Sequence, residues 1–343
     1  MDKTSSICAV AGHSGGHIIP TITKALEYKH NNFARRIIFF STSTTLDQAI
    51  IKNFSIDQLI QLRIENLPSL KKIYRLPLFT FFFLSSFLKS LLHLYRTQPS
   101  RIIATGGYVA IPVCLAGALL RIPIELYELN VEPGKAITFL ARFAQKICIT
   151  FKKTADYFPS KQCTVTKYPI RFTQEDLQIN RLDLLQRHDF SADKKTVFIL
   201  GGSQGSLFLN KQVKSWIEHN PEIKNKIQII HQVGVHEKDN WQIFYKELGI
   251  PHITFDYLNN LAPMYHMADI VICRAGAGTL AELLFFNKKA IIIPLEIAST
   301  SHQLLNAQEM AHEHPDLFNV VRQHEIEKSS ASFHKCLREY LHN

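Results

Sequence analysis

A chain of 343 residues exceeds what one hydrophobic core ordinarily serves and points to two domains. Apolar residues make up 46% and charged residues 20%, a globular composition that excludes a disordered or low-complexity chain. The net charge of +10 favours anionic ligands, but no block of five or more basic residues is present, which argues against nucleic acid as a partner.

The segment Met1 to Ser6 leads straight into a strand and lacks the apolar core of a signal peptide. Cys8, Cys114, Cys148, Cys163, Cys273 and Cys336 form no C-x-x-C pair, so a zinc site is not expected. Several sit in apolar runs as small hydrophobes, which fits a reducing compartment.

The first half alternates short apolar runs with longer helical patterns. Strands are predicted at 7–10, 37–40, 102–104, 124–127 and 147–149. That rhythm predicts a parallel sheet with helices on both faces. The first strand runs into Gly12-His13-Ser14-Gly15-Gly16-His17, followed by a helix over about 17–28. Glycine permits close backbone approach, and a helix start presents N–H groups and a positive dipole end. Such a turn suits a phosphate or a developing oxyanion, and it equally suits a plain strand-to-helix turn. It is not a G-x-G-x-x-G string, which tells against a dinucleotide cofactor. His17 lies on the first helical turn. An imidazole there is a candidate general base, with a surface or capping histidine as the alternative.

Leu76 to Leu94 is strongly apolar and flanked by Lys71, Lys72, Arg75 and Arg96. Lys89, His93 and Pro77 interrupt it as a membrane span. A buried helix packed on the sheet and a helix lying on an anionic bilayer surface both fit. Thr105-Gly106-Gly107-Tyr108 makes a second glycine turn at the same sheet edge. Glu128 and Asn130 end the fifth strand, where they suit sugar hydroxyls or cap the turn before Pro133.

Proline breaks the pattern near Tyr168-Pro169-Ile170-Arg171, placing a first domain at 1–165 and a second at 166–343. The second series of strands is predicted at 197–200, 227–230, 253–255, 270–273 and 290–293. Its first strand enters Gly201-Gly202-Ser203-Gln204-Gly205, which offers N–H groups and the Ser203 hydroxyl to a pyrophosphate. The run Arg274 to Glu282 starts a helix after a hydrophobic strand. Glu282 stands about one and a half turns in, where a carboxylate reaches both hydroxyls of a ribose. Arg274 either neutralises phosphate or pairs locally. Gln303 and Asn306 share one helical face. Ligands of open α/β sheets bind beyond the carboxyl ends of the strands, so two such domains facing a cleft are expected to hold the ligand there.

In joint order these motifs resemble the MurG family, the UDP-N-acetylglucosamine transferases acting on undecaprenyl-pyrophosphoryl-N-acetylmuramoyl-pentapeptide. The likeness rests on the first glycine loop, Thr-Gly-Gly-Tyr at 105–108, Glu-Leu-Asn at 128–130 and Gly-Gly-Ser-Gln-Gly at 201–205. It continues with His-Gln-x-Gly at 231–234, Arg-x-Gly-Ala-x-Thr-x-x-Glu at 274–282 and Gln-x-x-Asn-Ala at 303–307. It implies two Rossmann-like doubly wound domains of the GT-B type and inverting transfer from UDP-GlcNAc, converting lipid I to lipid II in peptidoglycan synthesis. It places substrate contacts on Ser14, Gly15, Gly16, Asn130, Arg171, Ser203, Leu258, Ala277, Gly278, Thr279, Leu280, Ala281, Glu282 and Gln303. It makes His17 and Glu128 the catalytic candidates, calls for no cofactor and no metal, and matches Leu76–Leu94 to a membrane contact. The implied partners are UDP-GlcNAc, an undecaprenyl-linked acceptor and an anionic membrane surface, on the cytoplasmic face. The sequence departs from the family at His13, which replaces a glycine and is expected to demand a different turn, and at Ser14 and His302. The chain ends about one helix after Glu325, where the family has a further helix. A UDP-GlcNAc 2-epimerase and a non-catalytic nucleotide-sugar-binding module are the alternatives.

Overall fold

The computed structural model describes residues 6–65, 68, 74–202, 204–297 and 302–342. The chain divides into two compact units, Met1–Arg171 and Phe172–Asn343.

The first unit carries seven strands: β1 (Ser6–Val10), β2 (Arg36–Thr42), β3 (Gln58–Leu62), β4 (Ile102–Ala104), β5 (Ile124–Glu128), β6 (Lys146–Ile149) and β7 (Cys163–Val165). They pair in the order β3-β2-β1-β4-β5-β6-β7, every pair parallel. Helices α1 (Gly15–His30), α2 (Thr45–Ile51), α3 (Leu76–Thr97), α4 (Ala110–Leu119) and α5 (Lys135–Leu140) connect them. The second unit begins with α6 (Arg181–Arg187). Its strands are β8 (Lys195–Leu200), β9 (Ile227–Gln232), β10 (His252–Phe255), β11 (Ile270–Cys273), β12 (Ala290–Ile292) and β13 (Phe318–Val320), in the all-parallel order β10-β9-β8-β11-β12-β13. The remaining helices are α7 (Leu207–His219), α8 (Trp241–Glu247), α9 (Ala262–Met267), α10 (Ala277–Phe285), α11 (His302–Glu313), α12 (Gln323–Lys328) and α13 (Ala331–His342).

Crossover helices cover both faces of a parallel sheet, so its inner strands read as unbroken apolar runs. β1 is buried at every position, and so is β5. Cys8, Cys114, Cys148 and Cys273 are buried, and all six cysteines are free thiols. Three of the four edge strands, β3, β7 and β13, escape the sequence pattern, because a half-covered edge keeps polar residues such as Gln58, Gln61, Thr164 and Asn319, while the edge strand β10 is predicted at 253–255.

Strand order fixes where ligands go. In each sheet the order reverses between the first and fourth strands of the unit, between β1 and β4 and between β8 and β11. The loops leaving those strands diverge there and open a crevice at the carboxyl edge. Val10 lies beside Ala104, and Leu200 beside Cys273. Each switch point is therefore flanked by two of the glycine-containing loops.

Of the two readings of helix α3, packed on the sheet or lying on a surface, the structure shows one packed face and a broad exposed apolar side. Its buried residues are Ser86, Ser90 and Leu94, while Phe81, Leu84, Leu88, Leu92 and Tyr95 are exposed. The face turned to the protein is mixed: Leu94, Phe87 and Leu91 pack on the core, Ser86 Oγ donates to the Arg63 carbonyl at 2.9 Å and Lys89 Nζ to the Gln61 carbonyl at 2.8 Å. The helix meets the length and composition of a membrane-crossing segment, yet these bonds tie it to the β3 side of the sheet. Lys71 and Lys72 of its basic flank lie outside the described residues.

Candidate active site

In the first unit, the glycine loop is held by one buried carboxylate. Asp47 of α2 is fully buried and accepts the His13 backbone N–H at 3.1 and 3.2 Å. It also accepts from the hydroxyls of Ser41 at 2.9 Å and Thr42 at 2.5 Å. Burial pushes this carboxyl up, but the hydrogen bonds from Thr42, Ser41, His13 and Thr44 outweigh it and hold the pKa below the usual aspartate value. Gly12 packs against it so closely that a Cβ would lie 2.9 Å from Asp47 Oδ2. His13 adopts φ 68°, in the left-handed region that glycine takes without strain. The replacement of the family's glycine by His13 is thus met by a left-handed turn that the Asp47 carboxylate grips.

The loop delivers the chain into α1 with Ser14 as N-cap. The Ser14 side chain makes no capping bond, Gly15 is half-buried, and Gly16 is exposed at the helix start. His17 is half-buried on that first turn, and its carbonyl accepts from Thr21 Oγ1 at 2.7 Å and Thr105 Oγ1 at 3.1 Å. Thr105 is the first residue of the loop after β4, so these bonds tie the two loops of the switch point together. The imidazole sits over the same loop, 3.7 Å from where a Cβ on Gly106 would be.

Glu128 ends β5 with 2% exposure. Its Oε1 accepts the N–H groups of Leu129 and Asn130, both at 2.9 Å, and Asn130 Nδ2 at 3.2 Å, while Oε2 accepts Gly134 N–H at 2.9 Å. Burial raises its pKa, and those donors pull it back only in part. Both oxygens order the 129–134 turn, and the half-buried Asn130 side chain is oriented by that turn. Arg171 is half-buried at the end of this unit.

In the second unit, the loop after β8 crosses the loop after β9 at van der Waals distance. A Cβ on Gly205 would lie 2.5 Å from Gly234 Cα, and one on Gly234 would lie 2.4 Å from the Gln204 carbonyl oxygen. Only two glycines allow this crossing. It is fixed from beneath by a buried network. Asn210 Nδ2 donates to the Val233 carbonyl at 3.0 Å and to Glu237 at 2.6 Å, so its Oδ1 accepts His231 Nε2–H at 3.0 Å. His231 Nδ1 then accepts from Tyr245 O–H at 2.9 Å. Burial drives the His231 pKa down to about 3, only partly offset by Glu237, so the ring is neutral. Ser203 lies outside the described residues.

Arg274 resolves to local pairing. It is 7% exposed and donates to Ser206 Oγ at 3.1 Å, the Ile293 carbonyl at 3.2 Å and Gln323 Oε1 at 2.8 Å. Ser206 is the N-cap of α7, so this guanidinium ties the glycine loop to the end of β12. Beyond it α10 opens with Ala277, Gly278 and Thr279, all half-buried. Leu280 is buried in the core and its N–H already bonds the Gly276 carbonyl at 3.0 Å; Ala281 is half-buried. Glu282 is half-buried, with Oε2 accepting from Tyr265 O–H at 2.8 Å. Leu258 is half-buried in the loop after β10, beyond Asp256, whose carbonyl accepts Gln232 Nε2 at 3.3 Å. Gln303 opens α11, with Oε1 accepting the Leu295 N–H at 3.0 Å. Asp47, Tyr265 and the Asn210 network carry no sequence signal of their own; their partners become visible only in the fold.

Two doubly wound parallel units, each with glycine loops at its switch point, make the GT-B fold of nucleotide-sugar enzymes. Residues 7–149 match the glycosyltransferase family 28 N-terminal domain and residues 196–341 its C-terminal domain. The UDP-N-acetylglucosamine–N-acetylmuramyl-(pentapeptide) pyrophosphoryl-undecaprenol N-acetylglucosamine transferase of Natranaerobius thermophilus is 33% identical over 319 residues, covering 88% of this chain and 83% of that one. The chain belongs to that enzyme family, the MurG transferases. Among solved structures, Acinetobacter baumannii MurG superposes with a TM-score of 0.72 at 24% identity, covering 99% of this chain and 91% of that one. A UDP-GlcNAc 2-epimerase from Neisseria meningitidis shares the fold alone, with a TM-score of 0.58 at 12% identity, covering 91% of this chain and 92% of that one.

Proposed function

We propose that the chain transfers N-acetylglucosamine from UDP-GlcNAc to the 4-hydroxyl of undecaprenyl-pyrophosphoryl-MurNAc-pentapeptide, giving lipid II. The observation that carries this is the placing of Glu282 and the α10 start at one switch point, in a chain of this family.

In this reading the second unit binds the nucleotide. The Leu258 backbone meets the uracil, Glu282 accepts from the ribose hydroxyls, and Ser203 with the start of α10 at Ala277 to Ala281 faces the pyrophosphate; Arg171, at the end of the first unit, adds a contact to the donor. UDP departs with growing negative charge, and helix-start N–H groups stabilise such charge without reorganising. Gln303 and Asn130 read the sugar, with Glu128 ordering Asn130. Ser14, Gly15 and Gly16 bring backbone N–H groups, and His17 takes the proton from the acceptor hydroxyl. Direct attack at the anomeric carbon inverts its configuration.

The exposed apolar side of α3 supports a peripheral seat on an anionic membrane at the cytoplasmic face, where a polyprenyl acceptor is held. The test is transfer of labelled sugar with and without the polyprenyl-linked muramoyl acceptor. Label entering the lipid only when acceptor is present supports the proposal. Epimerised UDP-sugar without acceptor supports the epimerase instead, and nucleotide binding without turnover supports a non-catalytic module. Replacing His17 with Ala lowers kcat by about 10²- to 10⁴-fold with donor binding unchanged; near-normal turnover removes it as the base.

A further inference from the structure

We propose that Tyr265 is a positioning residue for ribose recognition, holding the Glu282 carboxylate in the orientation that meets the sugar hydroxyls. This rests on reading Glu282 as the ribose acceptor. Tyr265 is fully buried on α9 and is locked on several sides. Its ring stacks on Phe286 at 4.9 Å and 19°, and meets the edges of Phe198 at 5.6 Å and Phe172 at 6.3 Å. A ring so enclosed has one rotamer, and its hydroxyl is a fixed point. That hydroxyl donates to Glu282 Oε2 at 2.8 Å.

A glutamate side chain has three rotatable bonds and loses appreciable entropy when a ligand freezes it. The hydroxyl removes part of that freedom before the nucleotide arrives, which is preorganisation. The α10 backbone is fixed from the other side by Leu280 and Leu283, both fully buried. A carboxylate offers about four lone-pair sites, so one tyrosine hydroxyl does not exhaust it. A tyrosine serving only the core would be replaceable by phenylalanine here with no effect on ligand choice.

The experiment measures Kd for UDP and for 2′-deoxy-UDP on the full chain, the Tyr265→Phe variant and the Glu282→Ala variant. Phenylalanine keeps the ring and its stacking, and circular dichroism with Tm confirms folding. The wild-type chain prefers UDP. Tyr265→Phe weakens UDP roughly tenfold, the worth of a charged hydrogen bond, while 2′-deoxy-UDP binding changes far less. Glu282→Ala brings the two ligands to similar affinity. If Tyr265→Phe keeps the wild-type ratio while Glu282→Ala loses it, Tyr265 only packs, and the proposal falls alone. If Glu282→Ala also keeps the ratio, the ribose reading fails and takes this inference with it.

Discussion

Asp47 and His13 are joined by a bifurcated bond: both carboxylate oxygens accept one backbone N–H, at 3.1 and 3.2 Å. A residue on α2 thereby sets the conformation of a loop 34 positions earlier in the chain. The loop in turn fixes where α1 starts and where His17 stands.

Removing the carboxylate strands several buried donors at once. Asp47→Ala is expected to destabilise the chain by about 3 kcal/mol and to lower kcat more than it raises donor KM. Asp47→Asn keeps an acceptor and is expected to lose less. Urea unfolding and steady-state kinetics check both. By contrast His13→Gly relieves about 1 kcal/mol of left-handed strain but adds about 1 kcal/mol of unfolded-chain entropy. Its Tm should barely move. The folded pKa of Asp47 is depressed, so its contribution is present above the ordinary carboxylate range and is lost as pH falls through the lower folded value.

His231 gives a different pH signature. Its folded pKa is about 3, against an ordinary 6.5. The unfolded chain therefore binds a proton that the folded one refuses, and stability declines as pH drops from 6.5 towards 3. The expected slope is about 1.4 kcal/mol per pH unit across that window. His231→Asn should flatten the slope while costing about 2 kcal/mol at pH 7, because Tyr245 and Asn210 lose their partner. Urea midpoints from pH 4 to 7 read both. An unchanged slope in the variant would assign the proton elsewhere.

The side chains of Phe81, Leu84 and Leu88 are 65%, 53% and 53% exposed on one stripe of α3. Serine at all three should leave Tm nearly unchanged, since exposed substitutions cost within about 0.5 kcal/mol each. Binding to vesicles containing anionic lipid should weaken at least about tenfold, because each large apolar side chain contributes on the order of 1.5 kcal/mol when buried in the bilayer. Co-sedimentation with vesicles measures it. Equal binding by the triple variant would detach the helix from any membrane role.

The inner strands were legible in the sequence because burial on both faces favours apolar runs such as Ile7 to Val10 in β1 and Val197 to Leu200 in β8. Of the four edge strands, β3, β7 and β13 were not, since one uncovered side restores mixed composition. Helix α3 defeats an apolarity count because only one face, with Ser86, Ser90 and Leu94, is buried, while most of its large apolar side chains are exposed. Glycine strings located the loops, yet the groups that hold them come from elsewhere: Asp47 from α2 and Tyr265 from α9. Pairing of that kind is a product of topology and leaves no local trace.

The stereochemistry of the product tests the central claim most directly. The proposed single displacement, with His17 drawing the proton from an acceptor hydroxyl, would convert an α-linked donor into a β-glycoside. Proton NMR of the disaccharide released from the lipid product should show the large diaxial coupling of a β-linked N-acetylglucosamine. An α-linkage would contradict a direct attack and with it the assignment of a base to the first helical turn.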